Sequence, residues 1–265
     1  MGTSLEALTT GFSRDGDTTI YTITEDWLQG RAAFGGLVAT LGLIAARHLV
    51  EPGRRLRALQ TTFLRPSAPG PLRFEPSLER DGRNLTQIRA IGFQNGERVA
   101  TTRAIFGLPL DEADRVPPPV RPDAPGPETI EPMPYMEGLM PAFLQHFDFR
   151  WVRGGRPFSA STETDSLIWL RARDGKIGAE ALSVLFSDAI PSPAIAVMPG
   201  PAKSSTVAWS VSLFEPPAPV DEGGWWLIHT RLTSLRDGYG HHVTTLWTPE
   251  GHAAALSEQT LAVYP

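Results

Sequence analysis

The chain repeats itself, and no other feature of its 265 residues constrains the fold as strongly. In the first pass Thr18–Ile23 alternates like a strand, and Leu37–Val50 is an apolar helix closed by Glu51-Pro52-Gly53. Strands are predicted over Leu56–Leu64, Leu72–Arg80, Leu85–Phe93 and Val99–Phe106, with Asp81-Gly82 as one turn and Asn95-Gly96 as a type I′ hairpin. The pattern then restarts. Phe147–Trp151 and Ser166–Leu170 are strand-like, Gly178-Ala179 opens an apolar helix within Ile177–Pro191, and strands follow over Lys203–Phe214, Trp225–Leu235 and Ala253–Val263. The punctuation also repeats: Glu215-Pro216 answers Arg65-Pro66, Arg236-Asp237-Gly238 answers Arg80-Asp81-Gly82, and Glu250-Gly251 answers Asn95-Gly96. Two copies of one strand, helix and antiparallel-sheet unit give an α+β chain with expected units at 1–108 and 142–265. The proline-rich stretch 109–141 between them is expected to connect them in extended conformation.

Composition narrows the chemistry. A 41% hydrophobic, 20% charged chain with net charge −5 is globular, and it carries no dense Lys/Arg stripe to hold nucleic acid. There is no cysteine for a disulfide or a thiolate. The first residues lack the pattern of a signal peptide, and no apolar run reaches the ~18 residues that span a bilayer. The expectation is a cytoplasmic protein that takes a small molecule, without nucleic acid or membrane as partner.

A duplicated fold needs the same packing twice, so a position apolar in one copy and polar in the other is a candidate for chemistry. Setting Gly35-Gly36 against Gly178-Ala179 places Ala45 opposite Asp188. Setting Arg65-Pro66 against Glu215-Pro216 places Leu56 opposite Thr206, and setting Gly96 against Gly251 places Ala104 opposite Gln259. All three polar members lie in the second copy. Asp188 falls beside Ala181 on the flank of the apolar face of its helix, with Pro191 ending that helix a turn later, so it is expected to point inward. A carboxylate, a hydroxyl and a carboxamide on one sheet face suit a water: Asp188 accepts its proton while Thr206 and Gln259 hold it toward an acyl carbonyl. Partial burial would raise the Asp188 pKa toward neutrality. Donors for a developing oxyanion are expected at a helix N-terminus, around Gly35-Gly36 or Gly178-Ala179.

Gly30-Arg31 with Phe34-Gly35-Gly36, Thr62-Phe63-Leu64-Arg65-Pro66, Arg80-Asp81-Gly82-Arg83 and Gln94-Asn95-Gly96, together with Ser187-Asp188, Thr206 and Gln259, resemble the double-hotdog acyl-CoA thioesterases of the thioesterase II type. The resemblance covers nearly the whole chain. It implies a tandem hotdog fold, each half an antiparallel sheet wrapped around a central helix, with the paired domains abutting sheet to sheet. It also implies hydrolysis of an acyl-CoA to free acid and coenzyme A, a place in fatty acid metabolism, and an Asp188, Thr206, Gln259 site with no metal and no cofactor beyond the coenzyme A of the substrate. Two positions depart from the family: Leu37 stands where Gln is common after Phe-Gly-Gly, and Ala208-Trp209 where Asp-His is common after the Thr. Both bear on substrate choice, although Trp209 is read first as a core residue.

The alternative is a non-catalytic acyl-CoA or acyl-carrier binding protein of the same fold. A hydratase on that fold would need an Asp–His pair, and Asp237 to His242 has the spacing but reads as a hairpin turn. His241-His242 does not read as a metal site, because neighbours on a strand face opposite ways. A homodimer or larger homo-oligomer is compatible with the open sheet edges of such a fold.

Overall fold

The computed structural model describes residues 2–110, 116–174, 176–214 and 219–264. Its first half runs α1 (Leu5–Thr10), β1 (Ser13–Asp15), β2 (Thr18–Ile23), a two-strand ribbon of β3 (Leu28–Gln29) and β4 (Ala32–Ala33), and α2 (Gly35–Arg47). Then come β5 (Arg55–Phe63), β6 (Gly70–Asp81), β7 (Leu85–Gln94) and β8 (Glu97–Gly107). The second half runs β9 (Phe147–Arg153), β10 (Asp165–Ala172), α3 (Ala179–Phe186), α4 (Pro193–Ala196), β11 (Lys203–Leu213), β12 (Trp226–Arg236), β13 (Tyr239–Trp247) and β14 (Ala253–Tyr264). No helix among the described residues is long and apolar enough to cross a membrane.

Twelve of these strands form one sheet in the order β1-β2-β6-β7-β8-β5-β11-β14-β13-β12-β10-β9. Exchanging each first-half strand for its second-half counterpart reverses this order onto itself, so the repeat in sequence is an approximate two-fold repeat in space. The halves meet edge to edge rather than sheet to sheet. β5 and β11 pair antiparallel, with Ala208 opposite Thr62 and Ser212 opposite Ala58, and each strand thereby covers backbone groups that the other half alone would leave bare.

The sheet wraps α2 and α3. α2 is apolar almost all round and buried from Gly36 to Leu43, as expected of a helix with a sheet on one side and a second helix on the other. The helix predicted over Ile177–Pro191 is shorter, from Ala179 to Phe186. Ser187 N–H is shared between the Ser183 and Val184 carbonyls, and the next two N–H groups reach back only three residues, to Leu185 and Phe186. The last turn tightens and Pro191, which has no N–H, cannot resume it. Asp188 therefore lies in the turn after α3, not on its flank.

Both central strands carry a bulge at the same place. In β5 the register slips between Leu56 and Ala58, and in β11 between Thr206 and Ala208. Asn95-Gly96 turns with both residues at positive φ, as predicted, and Asp237-Gly238 does the same. Glu250-Gly251 instead sits in a longer loop closed by Thr248 N–H to the His252 carbonyl at 2.8 Å. Glu215-Pro216 lies outside the described residues.

The proline-rich stretch does more than connect. Leu167, Trp169, Leu227, Trp247 and Ala253 form an apolar patch on the face of the second half-sheet that points away from the helices, and Ala124 and Ile130 pack against it. The indole N–H of Trp169 donates to the Pro125 carbonyl at 2.9 Å and that of Trp247 to the Pro119 carbonyl at 3.0 Å. The segment is a strap over a sheet face that the second half would otherwise expose.

Candidate functional site

Asp188, Thr206 and Gln259 converge. The turn after α3 carries Asp188 and β14 carries Gln259, whose side chain enters the space under the sheet. Thr206 depends on the bulge. Gln259 stands opposite Trp209 and Leu261 opposite Thr206, so the extra residue Val207 turns Thr206 to the same inner face as Trp209. The Thr206 hydroxyl donates to Gln259 Oε1 at 3.3 Å, and Gln259 Nε2 donates to Asp188 Oδ1 at 2.9 Å.

Asp188 keeps partial exposure, yet its surroundings push its carboxyl up to about 6. Loss of hydration is the larger cause; the hydrogen bonds from the Gln259 carboxamide and from the Gly36 backbone N–H pull the other way. Gly36 belongs to α2, so the carboxyl in the second half is held by a helix N-terminus from the first. Two glycines permit that approach. A Cβ on Gly35 would stand 2.8 Å from Asp188 Oδ2, and one on Gly36 would stand 2.9 Å from the Leu185 carbonyl oxygen. Of the two candidate helix N-termini, Gly178-Ala179 is excluded. Gly178 N–H is bonded to Glu222 at 2.9 Å, and it lies at the far end of α3 from Asp188. Gly36 N–H sits at the site but is given to the carboxylate rather than left open.

The equivalent place in the first half holds no such set. Ala45, Leu56 and Ala104 are buried, and Glu180 accepts a hydrogen bond from the Leu56 backbone N–H at 2.8 Å while lying 3.7 Å from Arg47. It is a polar brace between α3 and the first half.

Trp209 is core: buried, stacked near Phe63, its indole N–H donating to Ser257 at 2.7 Å. Phe63 in turn lies against Gly35, so the two rings wall the site. Leu37 is fully buried. His241 is exposed while His242 is buried, as opposite parity requires, and His242 lies directly across the ladder from Gln259. His242 Nδ1 is 2.9 Å from the Ser192 hydroxyl, and burial drives the ring pKa down to about 4. Sequence reasoning passed over this neighbour of Gln259, because its only signal, the pairing of β13 with β14, is hidden by a register shift between Leu246 and Trp247. Among the described residues no group of three His, Asp or Glu side chains is placed to hold a metal ion. A shallow depression over Gln60, Thr62, Ser210 and Glu258 is also lined by Trp209, His242 and Gln259.

Residues 127–263 match the family model described as the acyl-CoA thioesterase C-terminal domain, and residues 23–107 match the acyl-CoA thioesterase N-terminal domain. Among solved structures the chain is similar to a hot dog fold protein of unknown function from Alicyclobacillus acidocaldarius, with 22% identity, a TM-score of 0.86, and coverage of 98% of this chain and 97% of that one. It is similar also to the tesB protein of Mycobacterium avium subs paratuberculosis, with 20% identity, a TM-score of 0.81 and coverage of 99% and 100%. A third is the acyl-CoA thioesterase II TesB2 from Mycobacterium marinum, at 18% identity, a TM-score of 0.77 and coverage of 98% of each chain. At these identities the likeness shows a shared tandem hot dog fold. No curated protein matches the chain.

Proposed function

Because the chain belongs to the acyl-CoA thioesterase family, we propose that it hydrolyses an acyl-CoA thioester to the free acid and coenzyme A, with Asp188 activating a water that Thr206 and Gln259 hold. The observation that carries this reading is the chain of hydrogen bonds from Thr206 through Gln259 to a carboxyl that ionises near pH 6. Such a group is charged at neutral pH yet basic enough to take a proton as it leaves water. The water oxygen bonds to the thioester carbonyl carbon as its proton passes to Asp188. The carbonyl oxygen takes up the negative charge of the tetrahedral intermediate. Collapse breaks the carbon–sulfur bond, and the proton returns from Asp188 to the departing sulfur. The step needs no metal and no cofactor beyond the coenzyme A that the substrate carries.

The test is thiol release, followed with a thiol-reactive dye, from short, medium and long acyl-CoAs by wild type and Asp188→Asn. Wild type is expected to turn over part of the panel, and the folded Asn variant to lose at least about a hundredfold in rate. Equal release by both would move the base elsewhere. Saturable acyl-CoA binding with no release from any member would replace the enzyme by a binding protein of the same fold.

A further inference from the structure

We propose that His242, oriented by Ser192, is a positioning residue that fixes which way the Gln259 carboxamide points. The inference rests on the reading of Asp188 as the base. A glutamine amide fits a pocket in two orientations related by a half turn, and only one of them directs its NH2 at a carboxylate. The other would set the amide oxygen against Asp188. Thr206 alone does not choose, since a hydroxyl can donate or accept.

His242 can choose. It is paired with Gln259 across β13 and β14, both side chains are buried, and the Gln259 carboxamide lies close enough to the ring to act against the effect of burial on its pKa. On its other side Ser192 Oγ accepts from the Ala194 N–H at 3.2 Å and lies 2.9 Å from His242 Nδ1, to which, in the polarity proposed, its hydroxyl donates. Burial keeps the ring neutral, so it holds one proton, and with Nδ1 accepting that proton is on Nε2. A ring that can only donate toward Gln259 requires the amide oxygen to face it. The oxygen then accepts from His242 and Thr206 together, and the NH2 is left for Asp188. Ser192, His242 and Gln259 form a line of fixed polarity ending at the base.

The experiment is steady-state thiol release from an acyl-CoA that wild type turns over, in a double-mutant cycle of His242→Leu and Gln259→Ala, with His242→Gln and Asp188→Asn beside it. His242→Leu is expected to lower kcat about tenfold, the rate equivalent of one net hydrogen bond, with KM nearly unchanged. His242→Gln, which offers an amide donor in place of Nε2, restores most of the rate, and His242→Leu costs nothing further once Gln259 is Ala. Full kcat in His242→Leu, no recovery in His242→Gln, or an equal loss with and without Gln259 would each overturn the proposal. If His242→Leu does not fold, Ser192→Ala enters the same cycle with the same expected dependence on Gln259. An Asp188→Asn variant that keeps full activity would instead sink the choice of base. The orientation is then read directly from the Gln259 side-chain amide resonance, assigned with Gln259→Ala: it shifts or broadens in His242→Leu if His242 holds the amide, and an unchanged resonance overturns the proposal.

Discussion

A carboxyl that loses its proton near pH 6 instead of near 3.8 sets both a rate profile and a stability profile. On the proposed mechanism Asp188 must be ionised to take a proton, and kcat/KM is then expected to fall about tenfold per pH unit below pH 6. The stability effect has the opposite sense. Between about 3.8 and 6 the native state holds a proton that the unfolded chain releases, so this group favours folding at low pH and that contribution is lost as pH rises through 6. Asp188→Asn should therefore be more stable than wild type above pH 6, by on the order of 1–2 kcal/mol once partial exposure is discounted. The difference should vanish below about pH 4, as urea titrations of both proteins across pH 4–8 would show. His242 runs the other way, because its lowered pKa means stability present above 6.5 and lost as pH falls toward 4. Asp188, Thr206 and Gln259 were legible in the sequence because their counterparts Ala45, Leu56 and Ala104 expose them as polar exceptions to a repeated packing scheme. His242 was not, since a buried histidine on a strand reads like any other alternating residue until its cross-strand partner is known.

Elements place those residues by small irregularities that a sequence pattern hides. The run Thr206-Val207-Ala208-Trp209 gives no sign that one residue is unpaired, yet without that bulge Thr206 would face the wrong side of the sheet. The short α3 was overread because apolar residues continue past Phe186, while what ends it is a turn of shortened hydrogen bonds. Phe34-Gly35-Gly36 was recognised as a motif, and the structure gives its physical reason: the end of α2 comes too close to Asp188 and Leu185 for side chains. Gly35→Ala tests this. In an ordinary helix the change gains ~0.5–1 kcal/mol. Here the new methyl would meet Asp188 Oδ2 at 2.8 Å and the Phe63 ring at 3.3 Å. The expected outcome is a loss of roughly 1–3 kcal/mol in thermal or denaturant unfolding, with thiol release lowered by more than tenfold because the proposed base is displaced.

At the scale of the molecule, the strand repeat was legible and the joint between the halves was not, because pairing of β5 with β11 depends on which edges meet rather than on any local pattern. The strap was half legible: its prolines announced a segment without helix or strand, but not that Trp169 and Trp247 would receive it. A chain divided between Leu110 and Val116 should behave accordingly. Co-expressed, the two pieces are expected to co-elute on size exclusion and release thiol; each alone, with a bare central strand, is expected to aggregate. The brace of Glu180, Arg47 and the Leu56 backbone, at the two-fold mate of the Asp188 turn, has a wider consequence. When two identical subunits form a symmetric pair, every residue serves two equivalent places, and a change that sharpens chemistry in one is imposed on the other. Tethering the copies in one chain removes that obligation. One side is free to keep a carboxyl that weakens the fold while the other spends its matching position on cohesion, so titration with a tight substrate analogue should count one reactive centre per chain.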